Sequence, residues 1–375
     1  MESSGSRNRL IYLDWLRGVA GIIMLQGHAF HSFLKPDLRG GAAYMYSQFL
    51  GGMPPAIFLF LTGITLAFLM DSMERKGLPR WSRITGTLRR AGYLFGIAIL
   101  FRVQLWLFSW PHSAWTNLLK VDILNCMGLG IAVMSVMTLF TTAQRIRICA
   151  ALGLAIAAVS PLISQMDWGG APWMRWIVKA YLAPDYNFFS FFPWAAYLVF
   201  GLSAGSLLRL LEPGQLDRAM QWGALLGGAM VVTARYFANL PFSIYAKSDF
   251  WLNSPAQTLI KLGVTLLILA FGYVWTRYGA APGWSWVRQF GTTSLLIYWV
   301  HIELVYGRWL RFCQNKLNIQ QTVVAALALI VLMLLLATVK TYRKEIRAYL
   351  SGRLRPRPAE VLDSSAAEPV EAFQD

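Results

Sequence analysis

The stretch Leu10-Ile-Tyr-Leu-Asp14-Trp-Leu-Arg17-Gly18-Val-Ala-Gly21-Ile-Ile-Met-Leu-Gln-Gly-His28-Ala-Phe-His31 decides the fold class. It is long and apolar enough to read as a membrane span, for which about 20 residues suffice to cross a hydrocarbon core of about 30 Å. An ionisable side chain at membrane depth costs at least about 2.5 kcal/mol, so a purely structural span would carry neither Arg17 nor His28. The same groups argue against a cleaved signal peptide, whose apolar core has no such residues.

Outward from this stretch the pattern repeats. The chain has 375 residues, 56% hydrophobic and only 14% charged, with a mean hydropathy of +0.47, which excludes an ordinary soluble domain. Ten apolar stretches are expected to form spans at about 13–34, 49–70, 91–108, 121–140, 146–166, 188–211, 219–238, 256–276, 290–310 and 320–340. The predicted fold is an all-α polytopic membrane bundle of about ten helices over residues 1–345. Residues 346–375, rich in Arg and Pro and then in Ser, Ala and Glu, are expected to form a disordered cytoplasmic tail.

A net charge of +16 would suggest a nucleic-acid partner in a soluble protein. Here the charges sort by side. With a cytoplasmic N-terminus, 21 Lys/Arg fall on the inside and 11 on the outside, which predicts both termini in the cytoplasm and leaves nucleic acid uninvoked. Cys126, Cys149 and Cys313 are too scattered for a disulfide framework or a zinc site, so no metal is expected. Many of the sixteen tryptophans fall near predicted span ends, as an interfacial belt would, although an apolar ring face also suits a sugar.

Few polar residues remain at membrane depth. Arg17 and His28 are eleven residues apart, which puts them on one helix face about 16 Å apart along the axis. Asp14, three residues before Arg17, can pair with it, and Gly21 leaves a shallow groove between the two. His31 falls nearer the outer end. Arg102 lies deep in the third span and needs an anionic partner, for which Asp122 is the nearest candidate; a structural ion pair is as good a reading as a substrate contact. His301 and Glu303 point about 200° apart on a helix, so at most one of them should face His28. The basic segment from Asp71 to Arg90 is expected to be an inside loop. Its Arg83, Arg89 and Arg90 would serve topology, or a phosphate at a helix N-terminus.

The order Leu13-Asp-x-x-Arg17-Gly18, with His28 following the arginine after ten intervening residues, resembles the first span of membrane acyltransferases. Within that superfamily, Pro55-Ala-Ile-Phe-Leu-Phe-Leu-Thr-Gly63, Val121-Asp-Ile-Leu124 with Gly128, Phe192-Pro-Trp-Ala-Ala-Tyr-Leu-Val-Phe-Gly201 and Ser294-Leu-Leu-Ile-Tyr-Trp-Val-His301 are similar to the heparan-α-glucosaminide N-acetyltransferase-like group, over about residues 10–305. The resemblance implies that acetyl-coenzyme A from the cytoplasm donates an acetyl group to a hydroxyl or amine of a glycan on the other face. It also implies that His28 is the catalytic histidine and Arg17, with the basic segment, a coenzyme contact. The spacing of Arg17 and His28 is that of the glycan O-acetyltransferases, so O- and N-acylation both stay open. The implied setting is a bacterial cytoplasmic membrane, with a homo-oligomer left open. The rival from another class is a proton-coupled transporter or flippase using His28, Arg102 and Glu303.

Overall fold

The computed structural model describes residues 4–111, 113–167, 169–183, 188–212, 214–279 and 283–350. Thirteen α-helices carry the described residues: α1 (Ser4–Phe33), α2 (Ala42–Gly51), α3 (Pro54–Arg75), α4 (Arg80–Phe108), α5 (Ile123–Met134), α6 (Thr142–Gln165), α7 (Pro172–Leu182), α8 (Phe191–Leu210), α9 (Leu216–Ala238), α10 (Pro255–Val274), α11 (Trp286–Thr292), α12 (Ser294–Tyr306) and α13 (Ile319–Leu350). No strand occurs among the described residues; Leu34 and Leu317 form a single isolated bridge. Lipid offers backbone groups no partner, so a chain this apolar satisfies them within helices.

Local chemistry sets the boundaries. Proline opens α3, α7 and α10, where its missing N–H costs nothing. Asp122 caps α5 and Thr141 caps α6, each in a reciprocal box with the residue three positions on, Asn125 and Gln144.

Among the described residues, seven helical stretches are long and apolar enough to cross a membrane: Ala42–Arg75, Arg80–Phe108, Trp115–Leu139, Thr142–Gln165, Phe191–Leu210, Pro255–Gly279 and Ile319–Arg343. The protein is thus a multi-pass membrane protein. The other three expected spans are helical but fall outside this set. Arg17, Gln26, His28 and His31 lower the hydropathy of α1, and Gln221 with several glycines dilutes α9. The span expected at 290–310 is divided into α11 and α12, of 7 and 13 residues.

The inside loop expected between Asp71 and Arg90 is a correction. Gly77, at φ +64°, closes α3 in the left-handed region, and Pro79 restarts the chain so that α4 begins at Arg80. Of the three arginines expected at a helix N-terminus, Arg83 lies in the first turn of α4, while Arg89 and Arg90 are more than two turns inside it. Residues 346–350, expected in the tail, continue α13, and residues 351–375 lie outside the described residues.

The core forms where backbones touch. A Cβ on Gly63 would lie 2.0 Å from the carbonyl oxygen of Leu198, and one on Gly201 would lie 1.9 Å from that of Phe60. With no hydrophobic drive between helices in lipid, such small-residue contacts let dispersion forces operate at close range. Phe60, Ile64, Leu198 and Leu202, all fully buried, fill the seam between α3 and α8. α1 is seated in the same way: Gly18 abuts Val287 of α11, and Gly291 of α11 abuts Asp14. Near the Arg17 end of the bundle, Asp71 pairs with Arg209 at 2.6 Å and Arg75 at 3.0 Å, while the fully buried Arg145 reaches Glu74 at 2.9 Å. These ion pairs fasten α3, α6 and α8 together.

Candidate functional site

α1 runs unbroken from Asp14 to His31, so Arg17 and His28 do share a face of one rigid helix. The turn around His28 is held from the side by α2. Gln48 donates to the carbonyl of Gly27 at 2.9 Å, and Gln26 and Ser47 bond reciprocally, Ser47 Oγ donating to Gln26 Oε1 at 2.9 Å. A Cβ on Gly27 would lie 2.9 Å from the Cα of Gly51, so α2 ends directly against the residue before His28.

The strongest contact in this region joins residues 273 positions apart. His28 Nδ1 lies 2.8 Å from His301 Nε2, and the two rings lie edge to edge with centroids 5.1 Å apart and planes 13° apart. His301 is fully buried, and its Nδ1 lies 2.7 Å from the carbonyl oxygen of Ile297 one turn earlier in α12. A carbonyl can only accept, so His301 carries its proton on Nδ1. For neutral rings the rest follows: His301 Nε2 accepts, His28 Nδ1 donates, and Nε2 of His28 is left with a free lone pair.

Aromatic rings and a second charged pair surround the two histidines. Tyr306 meets His28 edge-on at 5.5 Å and bonds the exposed His31, its hydroxyl 3.1 Å from Nδ1. Tyr298 packs edge-on to His301 at 5.9 Å and touches Phe101 of α4, beside Arg102. Arg102 Nε stands 3.3 Å from Asp122 Oδ2, while Asp122 Oδ1 accepts the backbone N–H groups of Leu124 at 2.9 Å and Asn125 at 3.3 Å. Asp122 is thus shared between a helix cap and a half-buried cation. Because asparagine can still cap, Asp122→Asn is expected to keep about 1 kcal/mol of thermal stability that Asp122→Ala loses, measured by unfolding in detergent. Glu303 is apart from this group. Its carboxylate folds over Gly307, where a Cβ would lie 2.6 Å from Oε1, and faces Trp309.

At the other end of α1, Arg17 Nη1 pairs with Asp14 Oδ1 at 2.5 Å and is close enough to Arg90 for the two cations to repel. Arg90 reaches Thr65 Oγ1 at 3.5 Å, Arg89 is exposed, and Arg83 has a buried Nε without a hydrogen-bond partner among the described residues. Of these cations only Arg17 has a carboxylate partner among the described residues, Asp14, while Arg90 meets a hydroxyl and Arg83 has a spare donor. That surplus fits an anionic group such as a phosphate.

Sequence reasoning did not single out Tyr306, nor Lys261 and Gln257 of α10, which are buried near the His28 end. The only signal for the latter pair was their spacing of four, which puts them on one helix face. Among the described residues no group of three His, Cys, Asp or Glu side chains is placed to hold a metal.

A search of curated proteins finds none that matches the chain. The family described as heparan-alpha-glucosaminide N-acetyltransferase, catalytic, matches residues 9–245, more than half of the chain. The match takes in α1 to α9, with Arg17, His28, Arg102 and Asp122, and stops short of Lys261, His301 and Glu303. With its first-span motif inside that region and its bundle of apolar helices, the chain belongs to the heparan-alpha-glucosaminide N-acetyltransferase family and is a membrane acetyltransferase of that kind.

Proposed function

We propose that the protein transfers an acetyl group from cytoplasmic acetyl-coenzyme A to a hydroxyl or amine of a glycan on the far side of a bacterial cytoplasmic membrane. The observation that carries this reading is the His28–His301 pair, which leaves His28 Nε2 free to take a proton. The two ends of α1 divide the work. Arg17, with Arg83 and Arg90, would hold the coenzyme phosphates, with Asp14 orienting Arg17. His28 stands about 16 Å further along the same helix, roughly the reach of an extended pantetheine arm. The charge asymmetry along the sequence supports placing the Arg17 end in the cytoplasm.

Bound acetyl-coenzyme A supplies an already activated thioester, so the chain needs to add only positioning and proton transfer. His28 Nε2 removes the acceptor proton as the acceptor oxygen or nitrogen bonds to the acetyl carbon. It returns that proton to the sulfur as the carbon–sulfur bond breaks. In the alternative route Nε2 bonds to the acetyl carbon as coenzyme A leaves as a thiolate; the acceptor oxygen or nitrogen then takes the acetyl group as its proton passes to the Nε2 set free, which in turn protonates the thiolate. In both routes His301 is a positioning residue: it holds the His28 ring and sustains the partial positive charge that grows there. Arg102, Asp122 and Tyr298 stiffen the wall behind it.

Purified protein in sealed liposomes, with labelled acetyl-coenzyme A outside and glucosamine-terminated oligosaccharide inside, tests the reading. Labelled acetyl oligosaccharide is the expected product. Uptake driven by a pH gradient, without acetyl turnover, would replace the reading with a proton-coupled transporter. His301→Leu is expected to lower kcat about tenfold or more with little change in KM for acetyl-coenzyme A, and His301→Gln to recover part of it by accepting from His28 Nδ1. A purely structural His301 would instead lower both variants through yield of folded protein.

A further inference from the structure

On α10, Gln257 and Lys261 are one turn apart, 4% and 8% exposed, and lie on the side of the bundle where His28 stands. The Lys261 ammonium has no carboxylate within ion-pair distance among the described residues. It does not reach outward to water as a lysine near a span end ordinarily does. Instead Nζ sits 4.9 Å over the ring of Trp194 in α8 and 3.7 Å from where a Cβ on Gly52 would be. Trp194 is itself fixed, its indole N–H donating to the carbonyl of Phe188 at 2.5 Å. One turn away, both amide atoms of Gln257 are buried without a hydrogen-bond partner among the described residues.

A buried cation and a buried unsatisfied amide on one helix face are each costly alone, and one ligand would relieve both. An anion fits: Lys261 supplies the charge and the Gln257 amide a directed N–H donor. Gly51, the residue before Gly52, is the one pressed against Gly27 beside His28, so the Lys261 ammonium lies next to the same α1–α2 contact that holds the turn of His28.

We propose that Lys261 and Gln257 form a binding site for a carboxylate or phosphate on the acyl acceptor, selecting an anionic glycan over a neutral one. The assignment of this anion to the acceptor rests on the acetyl-transfer reading; the site itself does not. Equilibrium dialysis of the purified full-length protein against labelled D-glucuronate, glucose 6-phosphate and glucose provides the test. The expected result is that one anion binds at least about tenfold more tightly than glucose. Preference for glucuronate marks a uronic acid acceptor, and preference for glucose 6-phosphate a phosphorylated one. Lys261→Met, which keeps the length and apolar stem, should remove the preference, and Lys261→Arg should retain part of it. His28→Ala should bind the anion as the parent protein does. Equal binding of all three sugars, no measurable binding of either anion, or an undiminished preference in Lys261→Met would overturn the site. Anion binding in a protein that moves no acetyl group would leave the site standing and overturn the reading of the reaction.

Discussion

Replacing His28 with alanine is expected to lower kcat for acetyl transfer by roughly 10²–10⁴-fold, the usual contribution of a positioned acid–base group. The size follows from what is lost. His28 Nδ1 is committed to His301 at 2.8 Å, so His28 Nε2 is the one lone pair of the histidine pair not engaged in a hydrogen bond among the described residues, and no other side chain of the cluster replaces it. His31 is the internal control. It lies one turn further along α1, is exposed, and is tied to the Tyr306 hydroxyl at 3.1 Å, so His31→Ala should leave kcat within a few-fold. Removing His28 leaves the Arg17–Asp14 pair at the opposite end of the helix untouched, so acetyl-coenzyme A should still bind. Stopped acetyl transfer with retained coenzyme binding, measured on protein whose melting temperature is unchanged, is the signature. Full activity in His28→Ala would remove the histidine from the mechanism.

A large loss of stability is expected from a single methyl group at Gly201. Its Cβ would sit 1.9 Å from the carbonyl oxygen of Phe60, 2.7 Å from the carbonyl carbon and 2.9 Å from the Cα, all backbone atoms of a helix that cannot yield locally. Relief requires α3 and α8 to separate, and their seam is filled by the fully buried Phe60, Ile64, Leu198 and Leu202. Gly201→Ala should therefore cost about 3 kcal/mol or more, the upper range for overpacking a close-packed interior. Gly92→Ala, in α4, is the matched control, since nothing lies within 4 Å of its added carbon. There the change should be neutral or stabilising, by up to about 1 kcal/mol from helix propensity. Unfolding in detergent, followed by fluorescence-detected size exclusion, separates the two. Equal melting temperatures would mean that the α3–α8 contact is looser than 1.9 Å implies.

Both glycines of that seam, Gly63 and Gly201, end motifs that carry the family resemblance. Those motifs are therefore largely statements about packing: each needs its glycine because two backbones meet there. Asp122, in a third motif, is the cap of α5 and the partner of Arg102. His28 differs from these, since no packing requirement asks for an imidazole with a free nitrogen.

What the sequence determined by itself was what depends on near neighbours. Apolar runs made the protein a helical membrane bundle, because backbone groups in lipid have no other partners. The helical repeat put Arg17 and His28 on one face, and Asp14 within reach of Arg17. Even here local reading failed where two weak signals competed: the charges between Asp71 and Arg90 read as a loop, but Gly77 and Pro79 confine the break to a few residues and α4 takes in the arginines. Only the tertiary structure decided what depends on distant residues. It chose His301 over Glu303 as the neighbour of His28, across 273 positions, and thereby fixed which nitrogen of His28 is free. It also turned Lys261 from one more charge near a span end into a buried cation beside Trp194 and Gly52. Hydropathy and helical period are set along the chain, whereas a hydrogen bond between helices depends on how each is rotated and how deep it sits, which the packing of all the others decides.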